Sequence, residues 1–139
     1  MKLTIHTDGG SRGNPGPAAS AFVVEKDGKP FHRASTFLGN TTNNTAEYRG
    51  VITSLNWLSE NNIVKKLGVD QLTFFLDSEL VVKQINGLYK VKDENLRNLF
   101  YEVNKLLKSA GVKVTFEHVL RDKNKEADFL VNQELDSRI

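Results

Sequence analysis

The chain has 139 residues, a formal net charge of +2 and no cysteine. This length suits one domain with a sizeable core, and we expect residues 1–139 to form it. Without cysteine, a disulfide framework, a thiolate zinc site and thiol catalysis are excluded. The modest charge neither requires nor excludes a nucleic-acid partner. No apolar stretch reaches membrane-spanning length and the N-terminus does not resemble a signal peptide, so we expect a cytoplasmic protein without membrane contact.

The first third of the chain predicts an antiparallel meander. Apolar and polar residues alternate in the first strand, which is expected to end at Asp8 and to be followed by a glycine-rich loop. Asp27-Gly28 is a two-residue hairpin signal, and Pro30 at the start of the third strand is typical of a sheet edge. The three predicted strands span residues 2–8, 18–25 and 31–38.

Helices and strands alternate in the rest of the chain. Helices are predicted over residues 45–60 and 78–85, from the cap Asp93 to Gly111, and from about Asn124 onwards; strands are predicted over residues 71–76 and 112–119. A short loop is expected after Asn61-Asn62. A meander followed by strand–helix crossovers predicts a mixed sheet with helices on its faces. If the first and fourth strands are parallel neighbours, Asp8 and Asp77 meet at their carboxyl ends.

Four carboxylates, Asp8, Glu47, Asp77 and Asp128, lie at the ends of predicted elements. Each has a structural explanation when taken alone. Asp8 could open a turn, Glu47 could complete a capping box with Asn44, Asp77 could cap a helix, and Asp128 could be a polar residue of the last helix. Together they could converge, and converging carboxylates repel unless a cation lies among them. Oxygen-only ligands favour Mg²⁺ or Mn²⁺.

Five motifs, which cover nearly the whole chain, resemble those of the ribonuclease H type 1 family. They are Thr7-Asp8-Gly9-Gly10, Gly13-Asn14-Pro15-Gly16, Thr42-Asn43-Asn44-Thr45-Ala46-Glu47, Asp77-Ser78 and Asn124-Lys125-Glu126-Ala127-Asp128. Each motif is weak alone, but five in this order are highly specific. The resemblance implies an α/β fold whose five-stranded mixed sheet, in the order 3-2-1-4-5, is flanked by helices. It also implies endonucleolytic hydrolysis of the RNA strand of RNA–DNA hybrids, leaving 5′-phosphate and 3′-hydroxyl ends.

The resemblance also assigns roles to residues. The four carboxylates would hold two Mg²⁺ or Mn²⁺ ions roughly 3.5–4 Å apart, one lowering the pKa of the attacking water and the other stabilising the leaving 3′ oxygen. Asp8 would bridge both ions, and Asp128 would be the more peripheral ligand. The residues expected to contact substrate are Gly9, Gly10, Asn14, Thr42, Asn43, Asn44, Ser78 and Glu79. Asn43 and Asn44 also suit a helix entry, and both roles can hold together.

The chain departs from the family pattern before its last carboxylate, where many members have a mobile histidine. Residues 120–123 contain no histidine, and His118 belongs to the strand by alternation, which predicts a structural role. Arg121 is the best substitute, as a cation that contacts the scissile phosphate. Its alternative is a solvated loop arginine, and we weigh the two equally. We include Arg121 among the predicted catalytic residues.

Substrate binding departs from the family pattern as well. Many members insert a basic helix and loop, whereas here only residues 86–92 join two helices. Lys83, Lys90 and Lys92 form a thin basic patch, so affinity should be modest and steeply salt-dependent, unless they are ordinary surface lysines. Glu79 and Asn40 stand where relatives have glutamine and arginine. These changes are expected to loosen the preference for hybrids and to admit double-stranded RNA.

The leading hypothesis for the function is a metal-dependent nuclease that acts on RNA–DNA hybrids. The alternative is a catalytically weak hybrid-binding or RNA-binding module of the same fold, which a missing carboxylate would favour. A domain of a polyprotein or reverse transcriptase is less expected, because the chain starts with Met1 and contains no linker. A DNA-directed nuclease does not explain Asn14 and Asn43-Asn44, which point to ribose recognition. We expect a monomer.

Overall fold

A computed structural model describes residues 1–138, so Ile139, the last residue of the predicted domain, lies outside the described residues. The strands are β1 (Lys2–Ser11), β2 (Gly16–Lys26), β3 (Lys29–Thr41), β4 (Gln71–Leu76) and β5 (Val114–His118). They form one sheet in the order β3-β2-β1-β4-β5. β1 pairs antiparallel with β2 and parallel with β4, and β5 is parallel to β4. The predicted fold class and strand order are confirmed, and Pro30 lies in an edge strand as expected.

Helices cover both faces of this sheet. They are α1 (Asn43–Glu60), α2 (Ile63–Leu67), α3 (Glu79–Ile85), α4 (Glu94–Lys108) and α5 (Lys125–Asp136), with a 3-10 turn at Arg121–Lys123. The larger core joins Leu3 and Ile5 of β1 to apolar side chains of α1, α3 and α4. The smaller core packs β2 against Leu130 and Val131 of α5. No helix within residues 1–138 combines the length and hydropathy needed to cross a membrane.

Some strand boundaries differ from the predictions. The expectation that the first strand ends at Asp8 is wrong, because β1 continues to Ser11, which pairs with Ala18 of β2. Gly9 and Gly10 are therefore strand residues rather than loop residues. β3 is longer than predicted because it pairs with β2 along the whole length of that strand, whereas β5 is shorter. The expected loop after α1 contains the short helix α2, whose Ile63 is buried in the larger core.

The helix caps decide between alternatives that the sequence left open. Thr42 caps α1 by accepting a 3.3 Å hydrogen bond from the N–H of Thr45, so the capping box of Asn44 with Glu47 is wrong. Ser78 caps α3 in the same way, so the alternative that Asp77 caps this helix is also wrong. The predicted cap at Asp93 is confirmed. Glu47 and Asp77 therefore keep their carboxylates free of helix capping.

Candidate active site

Asp8 and Asp77 lie side by side at the middle of the sheet. The parallel register pairs Thr7 of β1 with Leu76 of β4, and the two aspartates are the next residue on each chain segment. Asp8 is 5% exposed and the Asp77 side chain 3% exposed. Together with Glu47 of α1, each offers one carboxylate oxygen, and these three oxygens lie within 4.8 Å of one another. Two neighbouring strands and one helix thus build a carboxylate cluster.

Glu47 reaches this cluster because α1 packs unusually close to β1. A Cβ atom at Gly9 would overlap the backbone of Ala46, and one at Gly50 would lie 3.0 Å from the carbonyl oxygen of Asp8. With no side chain at either position, the helix backbone approaches the strand directly. The N–H of Gly9 donates a 3.2 Å hydrogen bond to Oε1 of Glu47, which orients that carboxylate toward Asp8.

The cluster is electrostatically unfavourable by itself. The pKa of Asp8 is raised from 3.8 to about 7, chiefly by burial; a hydrogen bond with Glu47 opposes the rise, and the charges of Asp77 and Asp128 add to it. Burial and the neighbouring Asp8 also raise the pKa of Glu47 well above its ordinary value. Within residues 1–138, Oε2 of Glu47 and Oδ2 of Asp77 are buried and accept no hydrogen bond. A divalent cation would satisfy both atoms, and an all-oxygen donor set fits Mg²⁺ or Mn²⁺.

An open cleft of about 400 Å³ lies over the carboxylates. Asp128 of α5 lines this cleft but is not part of the three-residue cluster, in keeping with a peripheral position. Arg121 also lines the cleft: its Nε is 3.6 Å from Oδ2 of Asp77, although its side chain is 79% exposed. The structure therefore brings the predicted catalytic residues to one cleft. The predicted substrate residues that line it are Gly9, Gly10, Asn43, Asn44 and Ser78.

Three predicted substrate residues lie outside the lining of this cleft. Oδ1 of Asn14 accepts a 3.0 Å hydrogen bond from the N–H of Asn43, so Asn14 helps to position the first residue of α1. Thr42 caps α1, as described above. Glu79 is 58% exposed and pairs with Lys83 at 3.3 Å and with His118 at 3.8 Å. Because Lys83 is engaged by Glu79, the predicted basic patch is partly neutralised.

Asn124 positions part of the site, although its sequence context predicted only the start of a helix and gave it no separate role in the last motif. It is 1% exposed, and its Nδ2 donates a 2.8 Å hydrogen bond to the carbonyl of Thr7. Its Oδ1 lies 3.0 Å from Nδ1 of His6, and its own carbonyl accepts from the N–H of Asp128. Asn124 thus attaches the start of α5 to β1 and places Asp128 beside the cleft. The only sequence signal was its position in the last motif.

A protein-family model described as "Reverse transcriptase-like" matches residues 6–134. The crystal structure of RNase H1 from the archaeon Halobacterium salinarum is 34% identical, covers 99% of both chains and superposes with a TM-score of 0.88. The chain belongs to the ribonuclease H type 1 family. LC11-RNase H1, which was solved in complex with an RNA/DNA hybrid, is 38% identical over 98% of both chains, with a TM-score of 0.90.

The chain spans only part of the length of some curated relatives. The "Bifunctional protein Rv2228c" of Mycobacterium tuberculosis is 38% identical over 99% of this chain, which spans only 36% of that relative. The solved N-terminal RNase H domain of that protein superposes with a TM-score of 0.86 and covers 99% of this chain and 95% of that one. The curated "Ribonuclease HI" of Halobacterium salinarum is 37% identical, and the chain covers 65% of its length.

Proposed function

We propose that this protein cleaves the RNA strand of RNA–DNA hybrids endonucleolytically, leaving 5′-phosphate and 3′-hydroxyl ends. The observation that carries the proposal is the convergence of Asp8, Glu47 and Asp77, with two buried oxygens that accept no hydrogen bond within the described residues. The hybrid bound by the 38% identical LC11-RNase H1 supports the choice of substrate. Two bound Mg²⁺ or Mn²⁺ ions would supply activation of water and stabilisation of the leaving oxygen.

In this proposal, the residues in and around the cleft divide into three groups. Asp8, Glu47 and Asp77 hold the ions, and Asp128 contributes from the edge of the cluster. The substrate lies against the backbone of Gly9-Gly10 and the side chains of Asn43, Asn44 and Ser78, which line the cleft. Asn14 and Thr42 act by holding the first turn of α1 in place.

Arg121 takes part as a cation beside the scissile phosphate. Its guanidinium already lies against Asp77, and its high exposure leaves its donors free to turn toward an incoming strand. Glu79 pairs with Lys83 and His118 and does not line the cleft, which supports the prediction that glutamate at this position loosens the preference for hybrids. We further propose that the protein acts as a monomer in the cytoplasm, which light scattering and cell fractionation would test.

The proposed activity is tested by incubating purified protein with end-labelled RNA–DNA hybrid, double-stranded RNA and double-stranded DNA, with Mg²⁺, Mn²⁺ or chelator. We expect metal-dependent cutting of the RNA strand of the hybrid, with ends that a polymerase can extend. Partial cutting of double-stranded RNA would report the effect of Glu79 and Asn40 on selectivity. Hybrid binding without cutting by folded protein, in either metal, would contradict the proposal and indicate a binding module.

A further inference from the structure

Arg12 lies at the tip of the β1–β2 hairpin, which is held firmly at the rim of the cleft. The N–H of Arg12 donates to the carbonyl of Pro17 at 2.8 Å. The N–H of Ser11 donates to Oδ1 of Asn43 at 2.7 Å, and Asn14 accepts from the N–H of Asn43. The hairpin tip is therefore hydrogen-bonded both internally and to the start of α1. This anchoring fixes where the Arg12 side chain begins.

The Arg12 side chain lines the same cleft as the carboxylates. Its Nη2 lies 2.6 Å from Oδ1 of Asp136 and 3.4 Å from the carbonyl oxygen of Asn132, both on α5. The side chains of Arg12 and Asp136 are 41% and 63% exposed. An ion pair this exposed contributes little to stability, so its two members can change partners at small cost.

Most of the donor capacity of Arg12 is unused. A guanidinium has five N–H donors in a planar fork, and within residues 1–138 the contacts of Arg12 involve only Nη2. Nε and Nη1 remain for another acceptor. Each bidentate edge of the guanidinium includes Nη2, so a phosphate that replaces Asp136 can be bound in a bidentate manner through Nη2 together with Nε or Nη1.

We propose that Arg12 binds a backbone phosphate of the nucleic-acid strand that lies across the carboxylates, exchanging Asp136 for the phosphate. This inference rests on the proposed function. Arg121 enters the cleft from the β4 side, where it contacts Asp77, whereas Arg12 enters from the hairpin side. A strand crossing the carboxylate floor thus meets a guanidinium on each side of the cluster. Phosphate contacts position a strand without reading its sequence, so Arg12 contributes affinity rather than base specificity.

The test compares Arg12→Ala, Arg12→Lys and Asp136→Asn with the wild type. Asp136→Asn is the matched control because it breaks the same ion pair and keeps the cation. Hybrid binding is measured by fluorescence anisotropy in chelator over a series of salt concentrations. Each phosphate contact contributes about one unit to the slope of log affinity against log salt. Turnover in Mg²⁺ and thermal melting are measured on the same samples.

We expect Arg12→Ala to reduce the salt slope by about one unit and to raise KM about threefold, with kcat changed less than about twofold. Asp136→Asn should keep the wild-type slope and bind equally or more tightly, and Arg12→Lys should fall between. The proposal is overturned if Arg12→Ala keeps the wild-type salt slope. It is also overturned if Arg12→Ala and Asp136→Asn lose the same affinity and both melt at a lower temperature than the wild type. Salt-dependent binding without cutting by the wild type would contradict only the proposed function; no hybrid binding by the wild type would contradict both.

Discussion

Oε1 of Glu47 accepts a 3.2 Å hydrogen bond from the backbone N–H of Gly9, the residue that follows Asp8. This bond joins α1 to β1 at the point where the carboxylates meet. It can form because neither Gly9 nor Gly50 carries a side chain between the helix and the strand. The closeness of one helix to one strand therefore decides whether Glu47 belongs to the cluster.

Gly9→Ala should destabilise the protein and weaken metal binding together. The added Cβ would overlap the backbone of Ala46, so α1 must move away from β1. We expect a loss of about 2–4 kcal/mol in the free energy of unfolding, measured by urea denaturation. Gly10→Ala is the matched control, because its Cβ would meet its nearest neighbours at an ordinary 3.8 Å. Equal losses in the two variants would contradict this account.

Without metal, the protein should become less stable as the pH rises from 3.8 to about 7, the interval between the ordinary and the raised pKa of Asp8. Across this interval the folded state binds more protons than the unfolded state, so deprotonation favours unfolding. Melting temperatures in chelator should therefore fall with pH. Saturating Mg²⁺ or Mn²⁺ should remove the fall, since the ion compensates the charges. Asp8→Asn should flatten the dependence of the metal-free melting temperature on pH. A metal-free wild type that becomes more stable across this interval would contradict the raised pKa of Asp8.

Asp77→Asn should abolish metal-dependent turnover while leaving the fold intact. The substitution preserves the shape of a side chain that is 3% exposed but removes the charge that holds a cation. We expect turnover to fall about 100-fold or more, with an unchanged circular dichroism spectrum. Asp122→Asn, in the exposed turn beside the cleft, should behave as the wild type. Retained activity in Asp77→Asn would refute the ligand role of this residue.

Arg121→Ala should lower turnover more than it lowers hybrid affinity. The guanidinium lies 3.6 Å from Oδ2 of Asp77, so its charge acts where the reacting phosphate is expected. We expect kcat to fall about tenfold with KM changed about twofold, and Arg121→Lys to recover part of the loss. Lys123→Ala, in the same exposed turn, serves as the control. If KM alone changes in Arg121→Ala, the residue is only a phosphate anchor.

Much of the fold was predictable because its signals are local. Alternation in β1, the apolar run of β4 and the helical spacing in α1 and α4 each follow from the period of a single element. The placement of Asp8 and Asp77 after the pairing Thr7–Leu76 followed from the rule that sites form at the carboxyl ends of parallel strands. The strand order and the substrate came from the resemblance of five motifs rather than from periodicity.

The predictions that were wrong concern strand ends and helix caps, where contacts between distant segments override local preference. The glycines after Asp8 favour a loop, yet hydrogen bonding to β2 keeps Gly9 and Gly10 in the strand. As a residue type, Asn44 is as suitable an N-cap as Thr42. Thr42 is the observed cap because α1 begins at the point where the chain leaves β3. Residue type alone cannot report which of two candidates two positions apart the tertiary fold selects as the cap.

By itself, the sequence determined which carboxylates are candidates, that Asp8 and Asp77 belong to the first and fourth strand segments, and which family the motifs resemble. Only the tertiary structure decided that three of the four carboxylates converge within 4.8 Å, that Asn124 attaches α5 to β1, and that Arg12 lines the cleft. The physical reason is distance along the chain. Residue type and spacing set the local conformation of each segment, whereas the approach of α1 to β1 and of α5 to the hairpin depends on packing between segments far apart in sequence.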